Sequence, residues 1–565
     1  MSKIWQVAPK IDDDFKNRFP EINPIILQLL WNRELKNQEQ IDEFLLPDYS
    51  QDLHDPFLFK DMVKTVERIK QAIDQKEKIT IYGDYDSDGV CSTTILYLTL
   101  QKMGADVFYF LPDREKEGYG LNMEVVNSII NEGTKLIITV DCGITNVEEV
   151  EAINNKGIDV IITDHHIPLD NLPHAFSIIN AWVKDEPYPF KELAGSGVAF
   201  KLSQALLKKY PIDNSEAFEK WLLDLVAIGS VADMVSLKGE NRVLVKYGLV
   251  VLNKTSRVGL RQLIKKARIN LGEIDTRSIG IQISSRLNAA GRVDHANLAL
   301  EMVIAQDKEK AKELADKLQK LNELRQKRME KIFEEVKQEI GKEPKDKILV
   351  VYRENWPVGV LGITSHRLVD LHNRPSILIS IREHEIKGCG RSVDGINLIE
   401  ILKKLENYLG HYGGHAGAAG FTLKEKKIEL LKEFCEKLQQ IAETDLQNLD
   451  LRPKITIDCE LDLKDLTWPL YEEIKRLEPF GEENPPPVFL AKNLAIEGIR
   501  KVGKTNLHLK ITVEGGKKMI YFRGGESLTL DDVSKKIDVV FEIGENQWNG
   551  TKEMEFRVLD LKKNE

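Results

Sequence analysis

The 565-residue sequence predicts an α/β chain in three parts: a parallel-sheet domain, a smaller α/β domain reached through a long helix, and a C-terminal β-barrel. Three observations carry this. Between about 60 and 250, short apolar runs alternate with helical stretches, the pattern of a doubly wound parallel sheet. From 306 to 340, Leu314, Leu318, Leu321, Ile332, Val336 and Ile340 recur at helical spacing on a heavily charged background, as one long helix or a broken pair. After about 450, five or so strand-like runs follow one another, which suits a small barrel of which the OB type is one candidate.

In chain order, the first fifty residues mix short helices with Pro20, Pro24 and Pro47 and carry no evident chemistry. KITIY, DVFYF, KLIITV, DVIIT and FSIIN are the strands expected of the first domain. The second α/β region opens at KILVVY, continues through a helix near 361–371 to SILISI, and then turns helical. The last part offers KITIDCELDL, NLAIEGIRKV, NLHLKITV, KKMIYF, IDVVFEI and EMEFRVLDL, with hairpin turns at Gly515-Gly516 and Asn549-Gly550. The expected divisions are an N-terminal segment 1–55, a first domain 56–300, a connecting helix 301–344, a second domain 345–449 and the barrel 450–565.

Composition is that of a globular protein, 42% hydrophobic and 30% charged. No run reaches the roughly eighteen apolar residues of a membrane span, and MSKIWQVAPKIDDDF lacks the apolar core of a signal peptide. The five cysteines form no CxxC pair, so a reduced, cytoplasmic chain with no membrane association is expected. A net charge of −10 argues against indiscriminate binding of polyanions. Charge is local, however: residues 254 to 292 carry nine basic residues against Glu273 and Asp275, either a solvated face or a nucleic-acid surface.

The chemistry starts at YGDYDSDGVCS, residues 82 to 92. Asp84, Asp86, Asp88 and Gly89 look like a calcium loop, but that loop needs a bidentate carboxylate at position twelve and a helix in front. Position twelve is Ile95, and Ile79 to Tyr82 read as a strand. Strand, acidic turn and helix instead open a βα unit, with the acids at the carboxyl edge where parallel sheets bind ligands. KLIITV ends in Asp141-Cys142-Gly143, DVIIT in Asp164-His165-His166, and the helical run WLLDLVAIGSVAD at Asp233. If these ends are neighbours, Asp84, Asp86, Asp88, Asp141, His165 and Asp233 converge. Such carboxylates repel one another unless divalent cations neutralise them. Carboxylates with imidazole suit Mn²⁺ or Mg²⁺, and two such ions can bind a phosphoryl group, activate water and stabilise a leaving oxygen. For each acid taken alone, a turn or helix cap is the plainer reading; the set as a whole points to metal. A rival use of the same residues is the loop of aspartyl-phosphate hydrolases, with Asp86 attacking and Asp88 as acid; Gly83-Asp84-Tyr85 then intervene after the strand, and Asp164-His165-His166 stay idle.

In order and spacing, these four motifs are similar to those of the DHH phosphoesterase superfamily. Gly413 to Gly420, GGHAGAAG, resembles the glycine-rich signature of its accessory domain, DHHA1. SRLNAAGR from Ser285, WPVGVLGI from Trp356 and PFGEENP from Pro479 narrow the resemblance to the RecJ family, single-strand-specific exonucleases of bacteria, from about residue 50 to the end. The resemblance implies a DHH domain, a DHHA1 domain and an OB-type barrel. It implies two ions, Mn²⁺ or Mg²⁺, held by Asp84, Asp86, Asp88, Asp141, His165 and Asp233, with Asp84, Asp86, Asp141, His165 and His166 catalytic and Asp164 orienting its neighbours. His166, Arg286, Asn288, Arg292, Arg391, Ser392, Gly414 and His415 are the substrate-binding residues it implies. Gly388-Cys389-Gly390-Arg391-Ser392 matches a loop that grips the DNA 5′ end together with Arg286. The family often has Ser where Cys389 stands, which weakens any side-chain donor there. The implied activity is 5′→3′ degradation of single-stranded DNA to 5′-mononucleotides, without a covalent enzyme intermediate, in recombination and repair. The implied protein is a monomer whose partners are single-stranded DNA, single-stranded-DNA-binding protein and a RecQ-type helicase. The 254–292 segment would track the strand, and Tyr521, Phe522 and Trp548 are candidates for stacking bases. Two alternatives remain at this point: a DHH-type nucleotide or oligonucleotide phosphodiesterase, and a non-catalytic DNA-binding scaffold.

Overall fold

Apolar, β-branched runs flanked by turns give five short strands that pair in parallel: β1 (Lys78–Tyr82), β2 (Asp106–Phe110), β3 (Thr134–Val140), β4 (Asp159–Thr163) and β5 (Ser177–Ile179), in spatial order β2-β1-β3-β4-β5. This computed structural model describes residues 3–564 apart from 342–343, 448, 504–505 and 549–550, and the side chains of Gln547, Trp548 and Thr551 are also outside the description. Chain order reverses direction between β1 and β3, so the crevice at their carboxyl ends is the place where such a sheet binds ligands. Ile79, Ile81, Ile138, Val160 and Ile162 are fully buried, as both faces of a parallel sheet require. Helices α1 (Ser87–Lys102), α2 (Gly195–Lys209) and α3 (Leu223–Ala232) pack on one another against this sheet, and α4 (Ser284–Val293) lies at the same edge.

The expected long helix is a single unbroken one, α5 (Lys308–Ile340). Asp307 caps it through the Lys310 amide, and Leu314, Leu318, Ile332 and Val336 form its buried stripe. It leads to a second sheet of β6 (Leu349–Glu354), β7 (Ser376–Ile381), β8 (Ile386–Arg391), β9 (Leu409–His415) and β10 (Ala418–Leu423), in order β9-β10-β8-β7-β6, with α6 (Leu361–His372) crossing between β6 and β7.

This sheet corrects the sequence reading twice. Residues 388–391, expected in a loop, form part of strand β8, and the stretch after SILISI, expected to be helical, contributes three strands. GGHAGAAG is a hairpin, β9 turning into β10 at Ala416-Gly417. The reason is compositional: glycine-rich strands lack the β-branched alternation by which strands are read. Here the glycines make room, since a Cβ on Gly388 would stand 2.2 Å from the Phe421 ring and one on Gly390 2.5 Å from Leu398.

By contact density the chain divides into two compact units, one of residues 53–235 and 243–451 and one of 1–52, 236–242 and 452–565. The second contains the barrel: Cys459–Glu460, Val488–Val502, His508–Val513, Lys517–Tyr521, Thr551–Lys563 and Lys536–Trp548 pair in that order, and Val488–Val502 also pairs with Lys536–Trp548, closing the sheet. The Gly515-Gly516 turn is present, with φ of 77° and 69°; Asn549-Gly550 lies outside the described residues. KITIDCELDL splits, and its first part, Lys454–Ile457, pairs in parallel with Ile4–Val7. That N-terminal strand was unforeseen because four residues without alternation are read as strand only by their partner, which is some 450 positions away. The N-terminal helices share the barrel's core, Phe15, Leu29 and Leu30 packing in one cluster with Leu509 and Phe541.

Arg242 anchors this unit. It is 1% exposed, lies over the Phe44 ring and donates to the carbonyls of Phe44, Arg476, Leu477 and Glu478 at 2.7–3.1 Å. Arg242→Ala is expected to cost at least about 3 kcal/mol, because several buried carbonyls lose their donor at once. Calorimetry should show an early, separate transition for this unit; a cost below about 1 kcal/mol would contradict the assignment. The five cysteines are free, and no helix of the described residues is long and apolar enough to cross a membrane.

Candidate metal centre and anion pocket

The six expected ligands do converge at the carboxyl edge of the first sheet. Asp84 follows β1, Asp86 caps α1 by accepting from the amides of Asp88 and Gly89, and Asp88 lies in that helix's first turn. Asp141 follows β3, His165 follows β4, and Asp233 caps the carboxyl end of α3. Ligand atoms fall within 4.8 Å of one another in three sets: Asp84, Asp86 and Asp141; Asp88, His165 and Asp233; Asp141, His165 and His166. Asp141 and His165 each belong to two of the sets.

Local sequence builds this crowding. Gly89 lets α1 start against the backbone of Asp84, where a Cβ would meet the Asp84 carbonyl oxygen at 2.5 Å. Gly195 and Gly229 border Asp141 and Asp88, where a Cβ would fall 2.6 and 2.3 Å from a carboxylate oxygen. Asp141 itself adopts φ 61°, a strained conformation for a residue with a side chain, and its amide is tied to the Thr163 carbonyl at 3.0 Å. Asp164, fully buried, accepts from the amides of Ile144, His165 and His166 and pairs with His166 Nδ1 at 2.8 Å, so its role here is to hold the two histidines.

The electrostatics are those of a site built for cations. Burial, then the neighbouring Asp86, lifts Asp84 well above the usual carboxylate range; burial with Asp88 and Asp86 does the same to Asp141. Burial outweighs the opposing pull of His165 and pushes Asp233 up to about 7. Burial works against a charged His166, but its bond to Asp164 raises it to about 9. Three buried ligand atoms have no hydrogen-bond partner: Asp84 Oδ1, Asp88 Oδ2 and His165 Nε2. His165 Nε2 is 3.2 Å from Asp141 Oδ1 and 3.5 Å from Asp233 Oδ2, yet aligned for a hydrogen bond with neither. Orphaned carboxylate and imidazole atoms among raised carboxylates fit divalent ions of the Mn²⁺ or Mg²⁺ kind. Carboxylates raised in this way favour protons in the absence of an ion, so ion uptake is expected to release them. Titration calorimetry of Mn²⁺ in buffers of different ionisation heat should show net proton release, and affinity should fall as pH is lowered from 8 to 6. Proton-neutral binding would contradict the site.

Across from the acids stands a group of arginines. Arg292 Nη1 donates to the Gly359 carbonyl at 3.1 Å, and a Cβ on Gly359 would lie 2.5 Å from the Arg292 carbonyl, so this glycine lets α4 and the second domain touch. Burial and the guanidinium groups of Arg114, Arg325 and Arg391 push Arg292 down to about 9. Arg391 donates to the Gly390 carbonyl and is likewise lowered by burial, with Cys389 opposing and Arg114 adding to it. Like charges held together out of water would be relieved by an anion. His415, near Arg391 and lowered by burial, accepts from the Gly417 amide; Gly414 has φ 133° and faces the Ala418 carbonyl, so no other residue fits there.

Other expected substrate residues are placed differently. Arg286 is turned to the long helix, donating to Gln319 Oε1 and the Gln282 carbonyl, and its charged neighbours there are Glu323 and Arg325 rather than Arg391. Asn288 Oδ1 accepts from the Ser87 amide and hydroxyl, tying α4 to the acidic turn. Ser392 closes its own loop by donating to the Ile396 carbonyl. In the basic segment, Arg257 pairs with Asp224 and Lys266 with Asp316. Of the barrel aromatics, Phe522 is 53% exposed beside His508, Tyr521 is half-buried, and the Trp548 side chain lies outside the described residues.

Sequence reading missed Arg114, Tyr119 and Arg325. Arg114 lies over the Tyr85 ring at 4.9 Å, and Tyr119 Oη is 3.0 Å from His166 Nδ1. A signal for the first two existed: they follow β2, another strand ending at the same sheet edge.

Comparison with known proteins identifies the fold. Three family models match: DHH family, N-terminal domain, over 78–230; DHHA1 domain over 345–444; and RecJ OB domain over 457–560. The single-stranded-DNA-specific exonuclease RecJ of Bacillus subtilis is 39% identical over 564 residues, covering 98% of this chain and 70% of its own length. The chain belongs to the RecJ family. The Escherichia coli RecJ is 30% identical, covering 99% of this chain and all of its own length. Among solved structures, RecJ from Thermus thermophilus in complex with Mn²⁺ superposes with a TM-score of 0.85 at 29% identity, over 100% of this chain and 80% of that one. Its Mg²⁺ complex gives 0.79 at 27%, over 100% and 79%. RecJ membership accounts for the DHH sheet, the DHHA1 sheet and the OB barrel together.

Proposed function

We propose that this protein is a metal-dependent exonuclease that degrades single-stranded DNA from its 5′ end to 5′-mononucleotides. The observation that carries the reading is the trio of buried, unpartnered ligand atoms (Asp84 Oδ1, Asp88 Oδ2, His165 Nε2) facing an arginine pocket. Asp84, Asp86, Asp88, Asp141, His165 and Asp233 would hold two Mn²⁺ or Mg²⁺ ions, which supply Lewis acidity and an activated water when bound. His166 keeps its proton at Nδ1 on Asp164 and turns a positive ring to the scissile phosphate. Arg391 and Arg292, with Arg114, would take the terminal 5′-phosphate through charge-assisted bonds, while the Gly414–His415 edge lets the main chain approach. Arg286 would meet a phosphate further along the strand, and Asn288 would set the acidic turn. The single-stranded DNA partner fits the names of the relatives, and the OB barrel would add affinity for longer strands. The divisions 56–300, 301–344, 345–449 and 450–565 serve as working domain limits. A monomer acting in the cytoplasm with single-stranded-DNA-binding protein and a RecQ-type helicase, in recombination and repair, completes the reading.

The test is product analysis. Single strands incubated with Mn²⁺ should yield 5′-mononucleotides from the first time point, and chelation should stop the reaction. Release of internal fragments, or of nucleoside 3′-phosphates, would overturn the reading.

A further inference from the structure

Two concavities meet at one ion pair. The first, about 360 Å³, opens beside the metal centre, with Tyr85, Arg114 and Tyr119 on one wall and Lys387, Cys389 and Tyr412 of the second sheet on the other. The second, about 670 Å³, runs along the long helix and is lined by Arg328, Lys331, Arg353 and Trp356, with Glu335 and Glu354 among them. Both exceed the roughly 300 Å³ at which small-molecule sites begin. Glu115 and Arg382 line both spaces, joined at 3.0 Å. The backbone beside them divides the same way: Trp356-Pro357 face the groove and Val358-Gly359 the cavity.

The partition is weak. The two side chains keep 42% and 36% exposure, and ion pairs so open to water hold little. Glu115 rides on a self-contained turn: the Asp113 carboxylate accepts from the amides of Glu115 and Lys116, the Glu117 carboxylate from that of Asp113, and Gly118 and Gly120 take positive φ. The same turn carries Arg114 to the anion pocket and Tyr119 to His166.

Each cleavage leaves a nucleoside 5′-monophosphate beside Arg114, while the next nucleotide must advance into the position just vacated at the metals. The product therefore needs a way out other than the path of the incoming strand. A cavity with a cation and aromatic rings suits a phosphate dianion carrying a base, and a groove of mixed charge beyond it offers that product a way out without a strong resting place. Resting on the exonuclease reading above, we propose that the released nucleotide leaves through the Glu115–Arg382 partition into the groove along the long helix, and that this ion pair limits its release.

The test uses the full chain in excess over a 5′-phosphorylated strand with 2-aminopurine at its 5′ end. Chemical quench times the cleavage, and the rise in fluorescence times the departure of the base. E115Q and R382Q are expected to speed departure at least threefold with cleavage within twofold of the unaltered protein. The swapped pair E115R/R382E is expected to return departure to its original rate. Unchanged departure in both single variants would overturn the proposal, and so would cleavage and departure slowing together, the result of a pair that merely holds two domains. Absence of cleavage by the unaltered protein would overturn the activity and this inference with it.

Discussion

Asp141→Ala is expected to lower turnover at least about a thousandfold, about 4 kcal/mol in the barrier, while strand binding stays largely intact. Asp141 is shared by two of the three ligand sets, so its loss would disturb both of them at once. Nor should the fold suffer from losing that charge, because burial and the adjacent carboxylates already penalise it. The backbone is the one complication: φ of 61° is costly for alanine and tolerated by asparagine. Asp141→Asn should therefore match the alanine variant in lost turnover and exceed it in thermal stability. If either purified, folded variant keeps within tenfold of the original rate with Mn²⁺, the two-ion assignment fails.

Arg391→Ala is expected to raise KM for 5′-phosphorylated strands roughly 10- to 100-fold, in keeping with about 1.5–3 kcal/mol for a hydrogen bond to a charged group. The effect on 5′-hydroxyl strands should be much smaller, so the preference between the two ends should shrink. A terminal phosphate carries more charge than an internal one, and the cluster of Arg391, Arg292 and Arg114 is what would detect it. Arg286→Ala should behave differently: it faces Gln319, Glu323 and Arg325, so it should weaken both kinds of strand about equally. Steady-state kinetics on matched oligomers decide this. Equal losses for both ends in Arg391→Ala would remove it from end recognition.

The convergence of the candidate ligands was legible in the sequence because each stands at one end of a strand or helix whose apolar run announces it, and parallel strands leave their carboxyl ends on one edge. Asp84, Asp141 and His165 are of this kind. The anion pocket was less legible. Arg391 was found through the motif around it, but the motif was taken for a loop, since glycines that make space for Phe421 and Leu398 hide a strand. Arg114 stands in a turn with no motif, and its place opposite Arg292 exists only once two sheets meet at Gly359. Arg325 is one of many cations on a charged helix, distinguished only by which side it faces. The union of the N-terminal helices with the barrel was invisible for a related reason: apolar faces such as those of Phe15 and Leu29 show that a segment packs, and not against what.

Polarity requires one end of the strand to be held at a fixed distance from the ions. One measurement reaches it: digestion with Mn²⁺ of strands blocked at a single end, followed by release of labelled mononucleotides. A 5′ block should stop release, and a 3′ block should leave the initial rate unchanged. Release that continues past a 5′ block and stops at a 3′ block would contradict the account and remove the arginine pocket from end recognition.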